Sequence, residues 1–147
     1  MKKFLYICLT LVSVVLVSSC KSQKGAVATF SDLNGEWNII ELNGNVLNPS
    51  DTHQFIAFDL ARKTMSGNAG CNRMMGQLDF NDAQKNIIKF SQVATTRMAC
   101  PDMSGEQELI KTLNKIVRFA PEGNAKSIDK IAFYGTDNTK LMVIEKK

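Results

Sequence analysis

Two short segments hold most of the side chains suited to chemistry. One is Gly67–Gly76, reading Gly-Asn-Ala-Gly-Cys-Asn-Arg-Met-Met-Gly, and the other is Thr95–Cys100, reading Thr-Thr-Arg-Met-Ala-Cys. Each brings a Cys and an Arg. A free Cys71 or Cys100 thiolate beside the single histidine, His53, would be an activated nucleophile. Arg73 and Arg97 suit bidentate capture of a carboxylate or another anion, with Asn72 as a further hydrogen-bonding group. The competing reading is that Asn72 bonds its own loop backbone and the arginines meet nearby acids. Met65, Met74, Met75, Met98 and Met103 gather around the same segments, as core filler or as a soft surface for Cu(I) or an apolar partner. Two Cys and one His without close Cys spacing are a poor set for structural zinc. No Gly-rich phosphate loop follows a strand and opens a helix. The reading therefore implies no cofactor and no metal.

The N-terminus decides which cysteines matter. Met1-Lys2-Lys3 is a positive start, Phe4–Val17 is an apolar run, and Val17-Ser18-Ser19-Cys20 follows. The run is short for a membrane span and has the form of a secretory signal peptide. Small residues before Cys20 match the bacterial lipobox, in which a lipid is attached to the Cys and the chain is cut before it. The expected organisation is a signal peptide over 1–19, a lipidated Cys20 with a flexible polar tether over 20–30, and one domain over 31–147. Lys21 and Ser22 follow Cys20 without an Asp, which favours an outer-membrane anchor facing the periplasm. Cys8 leaves with the leader and Cys20 carries lipid, so Cys71 and Cys100 remain as an even pair in an oxidising compartment. A bridge between them would stabilise the fold by roughly 3.5 kcal/mol in the chain-entropy picture. With Lys2 and Lys3 removed, the 18 basic residues fall by two against 14 acidic ones. That near balance, with no basic stripe, excludes a nucleic-acid footprint.

The elements that must position these residues are mostly short strands. Glu36–Leu42 reads as a strand with Trp37, Ile39 and Glu41 on one side and Ile40 and Leu42 on the other. Asn43-Gly44 signals a type I′ hairpin returning through Asn45–Leu47, and Asn48–Asp51 reads as a loop. Phe55–Asp59 and Thr64–Asn68 form a pair that runs into the first Cys segment. Gly76–Asn81 and Asn86–Phe90 are further strands, and Lys130–Tyr134 with Lys140–Ile144 closes the chain as a hairpin. One amphipathic helix is expected over 105–116, with Leu109, Leu113, Ile116 and Val117 on its apolar face and a Ser104–Gln107 capping box. Phe119–Pro121 leaves that helix. Connections are too short for parallel crossovers, so the sheet should be antiparallel and curl around the helix.

The two Cys segments also resemble a known family. Gly67-x-x-Gly70-Cys71-Asn72-Arg73 with Gly76, then Thr96-Arg97-Met98-Ala99-Cys100 with Glu106 and Leu109, look like a META domain, the HslJ-like family of bacterial envelope proteins. Trp37 and the final hairpin fit as well. The resemblance implies an α+β, antiparallel β-rich domain: an incompletely closed, cracked barrel of seven to eight strands with one amphipathic helix. It implies a part in heat or novobiocin tolerance, without an agreed biochemical activity; the lack of a convergent catalytic set adds the expectation of a non-enzymatic protein that acts through binding. The expected partners are the membrane, through the anchor at Cys20, and an envelope protein or apolar ligand. A pilot-like lipoprotein carrying an outer-membrane protein is the second reading. A thiol-redox protein using Cys71 and Cys100 is the third.

Overall fold

Alternation of large apolar and polar side chains dictates a sheet with one buried face. In the computed structural model, which describes residues 28–81, 83–123 and 127–147, nine strands form one antiparallel sheet. They are β1 (Gly35–Leu42), β2 (Asn45–Val46), β3 (Phe55–Asp59), β4 (Thr64–Asn68), β5 (Arg73–Phe80), β6 (Ile88–Thr95), β7 (Arg118–Pro121), β8 (Lys130–Tyr134) and β9 (Lys140–Lys146). Eight follow the order β6-β5-β4-β3-β1-β9-β8-β7, and β2 pairs with β1 off that path. The helices are α1 (Phe30–Leu33), α2 (Pro49–Thr52) and α3 (Ser104–Leu113). The signal peptide and Cys20 lie outside the described residues. The fold is therefore mostly antiparallel β, a curled half-barrel that fits a cracked barrel.

The outer strands β6 and β7 approach at one end only. Ile88 donates to the Val117 carbonyl at 3.1 Å and Phe119 donates to the Asn86 carbonyl at 3.0 Å. Inside the curl, Phe58, Phe90, Phe119 and Phe133 pack with centroids 6.0–6.3 Å apart. Trp37 and Ile39 from β1 and Leu109 and Leu113 from α3 are fully buried with them. Burying each large apolar side chain contributes about 1.5–3 kcal/mol, so the interior is a packed core.

Several boundaries differ from the sequence reading. β7 was expected only as a segment leaving the helix; added to the eight expected strands, it raises the count to nine. α3 ends at Leu113, so Ile116 and Val117 lie beyond it. Its N-cap is Met103, and Asp102 rather than a Ser104–Gln107 box accepts the Ser104 N–H at 2.8 Å. Asn48–Asp51 is not a loop: Asn48 caps a one-turn helix with Pro49 in its first turn. The register of β1 against β9 shifts between Ile39 and Glu41, so Leu42 returns to the core side with Trp37 and Ile39. A bulge of this kind reverses the alternation beyond it. Ala28 and Phe30, assigned to the tether, are buried. Phe30 stacks on Phe80 at 4.3 Å and meets Phe119 at 5.4 Å. Phe30 thus packs at the end of the sheet where β5 finishes.

Outside the curl, the two halves of the sheet differ. Ala132 and Val143 lie between inward-facing neighbours, hence on the outer side, yet both are buried. Lys140, opposite Tyr134, reaches Glu122 at 3.2 Å and Glu41 at 3.3 Å. Lys130 pairs with Glu145 at 3.1 Å, and Arg118 stacks on Tyr134 at 4.0 Å. Paired charges therefore surround these two residues.

Two outcomes follow for stability. A Cβ on Gly67 would run into the Phe55 carbonyl oxygen and lie 2.9 Å from Met74 Cε. Gly67→Ala should then lower stability by about 2–3 kcal/mol, read as a lower urea midpoint; an unchanged midpoint would contradict the close β3–β4 approach. Hydrogen bonds from Lys140 to Glu122 and then Glu41 raise its ammonium above the ordinary lysine value of 10.5. A raised folded-state value contributes stability that is complete below about 10.5 and is lost as pH rises through the folded-state value. The stability gap between wild type and Lys140→Met should be constant through neutral pH and shrink only in strong alkali.

Candidate functional site

The turn after β4 is built by local backbone chemistry. Gly70 donates to Asn68 Oδ1 at 2.7 Å and adopts a φ of +125°, a region that favours glycine. Ala69 donates to the Asn72 carbonyl at 2.8 Å, which closes the turn and returns the chain as β5. The strand expected from Gly76 starts earlier: the bend is confined to Ala69–Asn72, and Arg73 already begins β5.

This turn faces the second segment through one buried amide. Asn72 is 0% exposed. Its Oδ1 accepts from the Met98 N–H and from Thr96 Oγ1, each at 2.8 Å. Its Nδ2 donates to the Met98 carbonyl at 3.5 Å. Its backbone N–H donates to Glu106 Oε2 at 3.1 Å. Thr96 adds a second link, since its Oγ1 accepts from the Arg73 N–H at 3.2 Å and its own N–H donates to the Arg73 carbonyl at 3.0 Å. Beside this clasp Cys71 and Cys100 form a disulfide, with their Cα atoms 6.4 Å apart.

Gln54 extends the clasp. It is buried, and its Nε2 donates to the Ala69 carbonyl at 2.8 Å and the Gly105 carbonyl at 3.2 Å. Gln54 and the buried carboxylate of Glu106 thus tie the β4–β5 turn to the start of α3. Sequence reasoning did not find Gln54. The available signal was its place just before the alternating Phe55–Asp59, where the pattern puts an inward residue.

A cleft of about 330 Å³ lies beside the disulfide, bordered by Asp51, His53, Cys71, Cys100, Asp102 and Glu106. The hydrogen bond donated by the Ser104 backbone N–H holds the Asp102 carboxyl below its ordinary range. His53 is exposed, at the left-handed C-cap of α2. Neither sulfur is free to be a thiolate nucleophile. Among the described residues, no group of three or more His, Cys, Asp or Glu side chains is placed to hold a metal.

The proposed binding residues therefore separate. Asn72 has no surface and its oxygen is fully engaged, so it is a structural group and not a ligand contact. Arg73 and Arg97 are exposed, and among the described residues neither side chain has an ion pair. The expected nearby acids do not meet them. Met65 and Met74 are core, whereas Met75 and Met98 are 60% and 58% exposed.

A double-mutant cycle tests the clasp. Removing the staple with Cys71→Ser and Cys100→Ser together should cost about 3–4 kcal/mol, given 29 positions between the partners. Asn72→Ala should cost about 2–3 kcal/mol by leaving the Met98 amide without its acceptor. Because both close one seam, the combined variant should lose less than the sum. Strict additivity in equilibrium denaturation would show that the two act on separate seams.

Comparisons with known proteins agree with this geometry. The META domain family profile matches residues 29–146. No curated protein matches the chain. The NMR structure of a protein from Burkholderia xenovorans is similar, with a TM-score of 0.57 and 20% identity over 78% of this chain and 83% of that one. The crystal structure of a DUF4847 family protein from Bacteroides vulgatus has a TM-score of 0.53 and 14% identity over 78% of this chain and 94% of that one. Identities this low speak to fold alone. The profile match, however, takes in the turn, the clasp, the disulfide and the closing hairpin together: the chain belongs to the META domain family.

Proposed function

We propose that the chain is a non-enzymatic binding protein of the bacterial envelope, held on a membrane by lipid at Cys20 and contributing to stress or antibiotic tolerance. The observation that carries this reading is the use made of the two singled-out segments. Their most reactive groups are consumed in structure: the thiols in a disulfide, the Asn72 amide in a buried clasp, and Glu106 against a backbone N–H. The family resemblance supplies the envelope setting and the heat or novobiocin tolerance. The lipobox at Cys20 supplies the anchor, with an outer-membrane position facing the periplasm favoured by Lys21 and Ser22.

Filling of the interior by Trp37, Phe119 and Phe133 favours binding on the outer surface over an apolar ligand inside the curl. The same filling weighs against a pilot-like groove running into the core. The disulfide weighs against a thiol-redox protein.

The test follows the anchor and the phenotype together. Radiolabelled palmitate should enter the wild-type chain and not Cys20→Ser, and that variant should leave the membrane fraction. A strain lacking the gene should be more sensitive to novobiocin or heat, with rescue by wild type but not by Cys20→Ser. Full rescue by an unlipidated, soluble form would overturn the anchored reading.

A further inference from the structure

The outer face of the sheet is treated in two ways. On the β8–β9 half, ion pairs and a stacked Arg surround the buried Ala132 and Val143. Among the described residues, no ion pair joins strands across the β3–β4–β5 half. There Phe55 and Met75 stand on either side of the small residues Ala57 and Ser66, which are neighbours in register: Ala57 pairs with Ser66, and Ser66 with Met75. The result is a depression of about 450 Å³ with small residues as its floor and Phe55 and Met75 as walls. Met75 is 60% exposed, while the outward positions further along β5, Gln77 and Asp79, are polar. A large apolar side chain is thus placed where the strand otherwise presents polar ones.

The charges around the depression are unequal. On one side Lys147 Nζ is bonded to Glu36 Oε2 at 3.2 Å and lies 4.4 Å from the Phe55 ring centroid. That cation is neutralised. On the other side Arg73 stands two residues before Met75 on the same face, exposed and without an ion pair among the described residues. The rim therefore carries one uncompensated guanidinium beside an apolar hollow. The complementary occupant has an apolar side chain with a carboxylate next to it.

Arg73 also lies at the opposite end of β5 from Phe80, on which Phe30 stacks. Seven residue steps of strand separate them, roughly 23 Å. The described chain begins at Ala28, two residues before Phe30 at the Phe80 end. An anchored domain would thus carry the Arg73 rim away from its point of attachment.

We propose that this depression docks an extended segment of a partner protein, with an aromatic or aliphatic side chain seated between Phe55 and Met75 and a neighbouring Asp or Glu bound by Arg73. The proposal rests on the envelope-binding reading and names the chemistry of its partner. An apolar side chain gains by leaving water, and the guanidinium selects the flanking carboxylate and the orientation.

The probe is a blocked peptide, acetyl-Gly-Asp-Phe-Asp-Gly-amide, titrated into the nitrogen-15-labelled mature chain and followed by amide chemical shifts. Saturable shifts should centre on residues 55–57, 66–67 and 73–75. A peptide with Lys for both Asp, or Ser for Phe, should bind about ten-fold more weakly, equivalent to about 1.4 kcal/mol. Arg73→Glu should weaken the acidic peptide similarly and improve the Lys-containing one, while Met75→Asp should weaken both. Both positions are exposed, so the variants should keep the wild-type spectrum elsewhere. The inference is overturned if the acidic and basic peptides bind alike, if shifts centre on the disulfide cleft, or if only anionic phosphatidylglycerol vesicles perturb these amides. Any of those results alongside intact Cys20-dependent tolerance would remove the groove and leave the envelope reading standing.

Discussion

The arrangement of this domain at its disulfide end depends on the buried amide of Asn72. A tight turn leaves backbone groups that no ladder can satisfy, and burying them unpaired is costly. Asn72 answers for both sides of the seam: its side chain holds the Met98 backbone and Thr96, and its own N–H is taken by Glu106. The β4–β5 turn is therefore fixed by one residue against two stretches more than twenty positions further on. The disulfide constrains the same two segments by a different route, acting on the unfolded chain more than on the folded one. Gln54 then attaches the seam to α3, and α3 carries Leu109 and Leu113 into the core.

What could be read from the sequence follows from how local each cause is. The Asn43-Gly44 turn was legible because both residues must adopt positive φ, as they do at 48° and 84°. The Phe55–Asp59 and Thr64–Asn68 pair was legible because a short apolar run is followed at once by the turn residues Leu60–Lys63. The cysteine pairing was legible by counting. β7 was missed because Arg118–Pro121 is four residues long, contains a proline and follows a helix. Its strand character comes from β8, a partner that lies beyond it in the chain. The side on which Leu42 falls was misread because a bulge is set by the fit of β1 to β9, which no window of β1 reveals.

The candidate site was half legible for the same reason. The sequence brought Cys71, Asn72, Arg73 and Arg97 to attention as a group, and composition gave no means of dividing them. Burial divides them. Asn72 is spent inside, while Arg73 and Arg97 remain outside. Glu106 showed as part of the family motif, and in the fold its carboxylate receives the amide of a distant turn. Which residue a polar group meets across thirty positions is a tertiary fact.

The position of β1 in the strand order has a mechanical meaning. Phe30 and Leu33 seat the incoming chain, the Trp37 indole donates to the Leu33 carbonyl at 2.7 Å, and the chain passes straight into β1. β1 is an inner strand, hydrogen-bonded to β3 on one side and to β9 on the other. A tether pulling from the N-terminal side must first draw an aromatic plug from the sheet and then slide β1 against two ladders at once. Force entering at an outer strand could peel bonds one at a time; force entering here meets many in parallel. Were the domain hung from a membrane by the proposed anchor at Cys20, the point of suspension would thus also be the place where the sheet best resists being pulled apart.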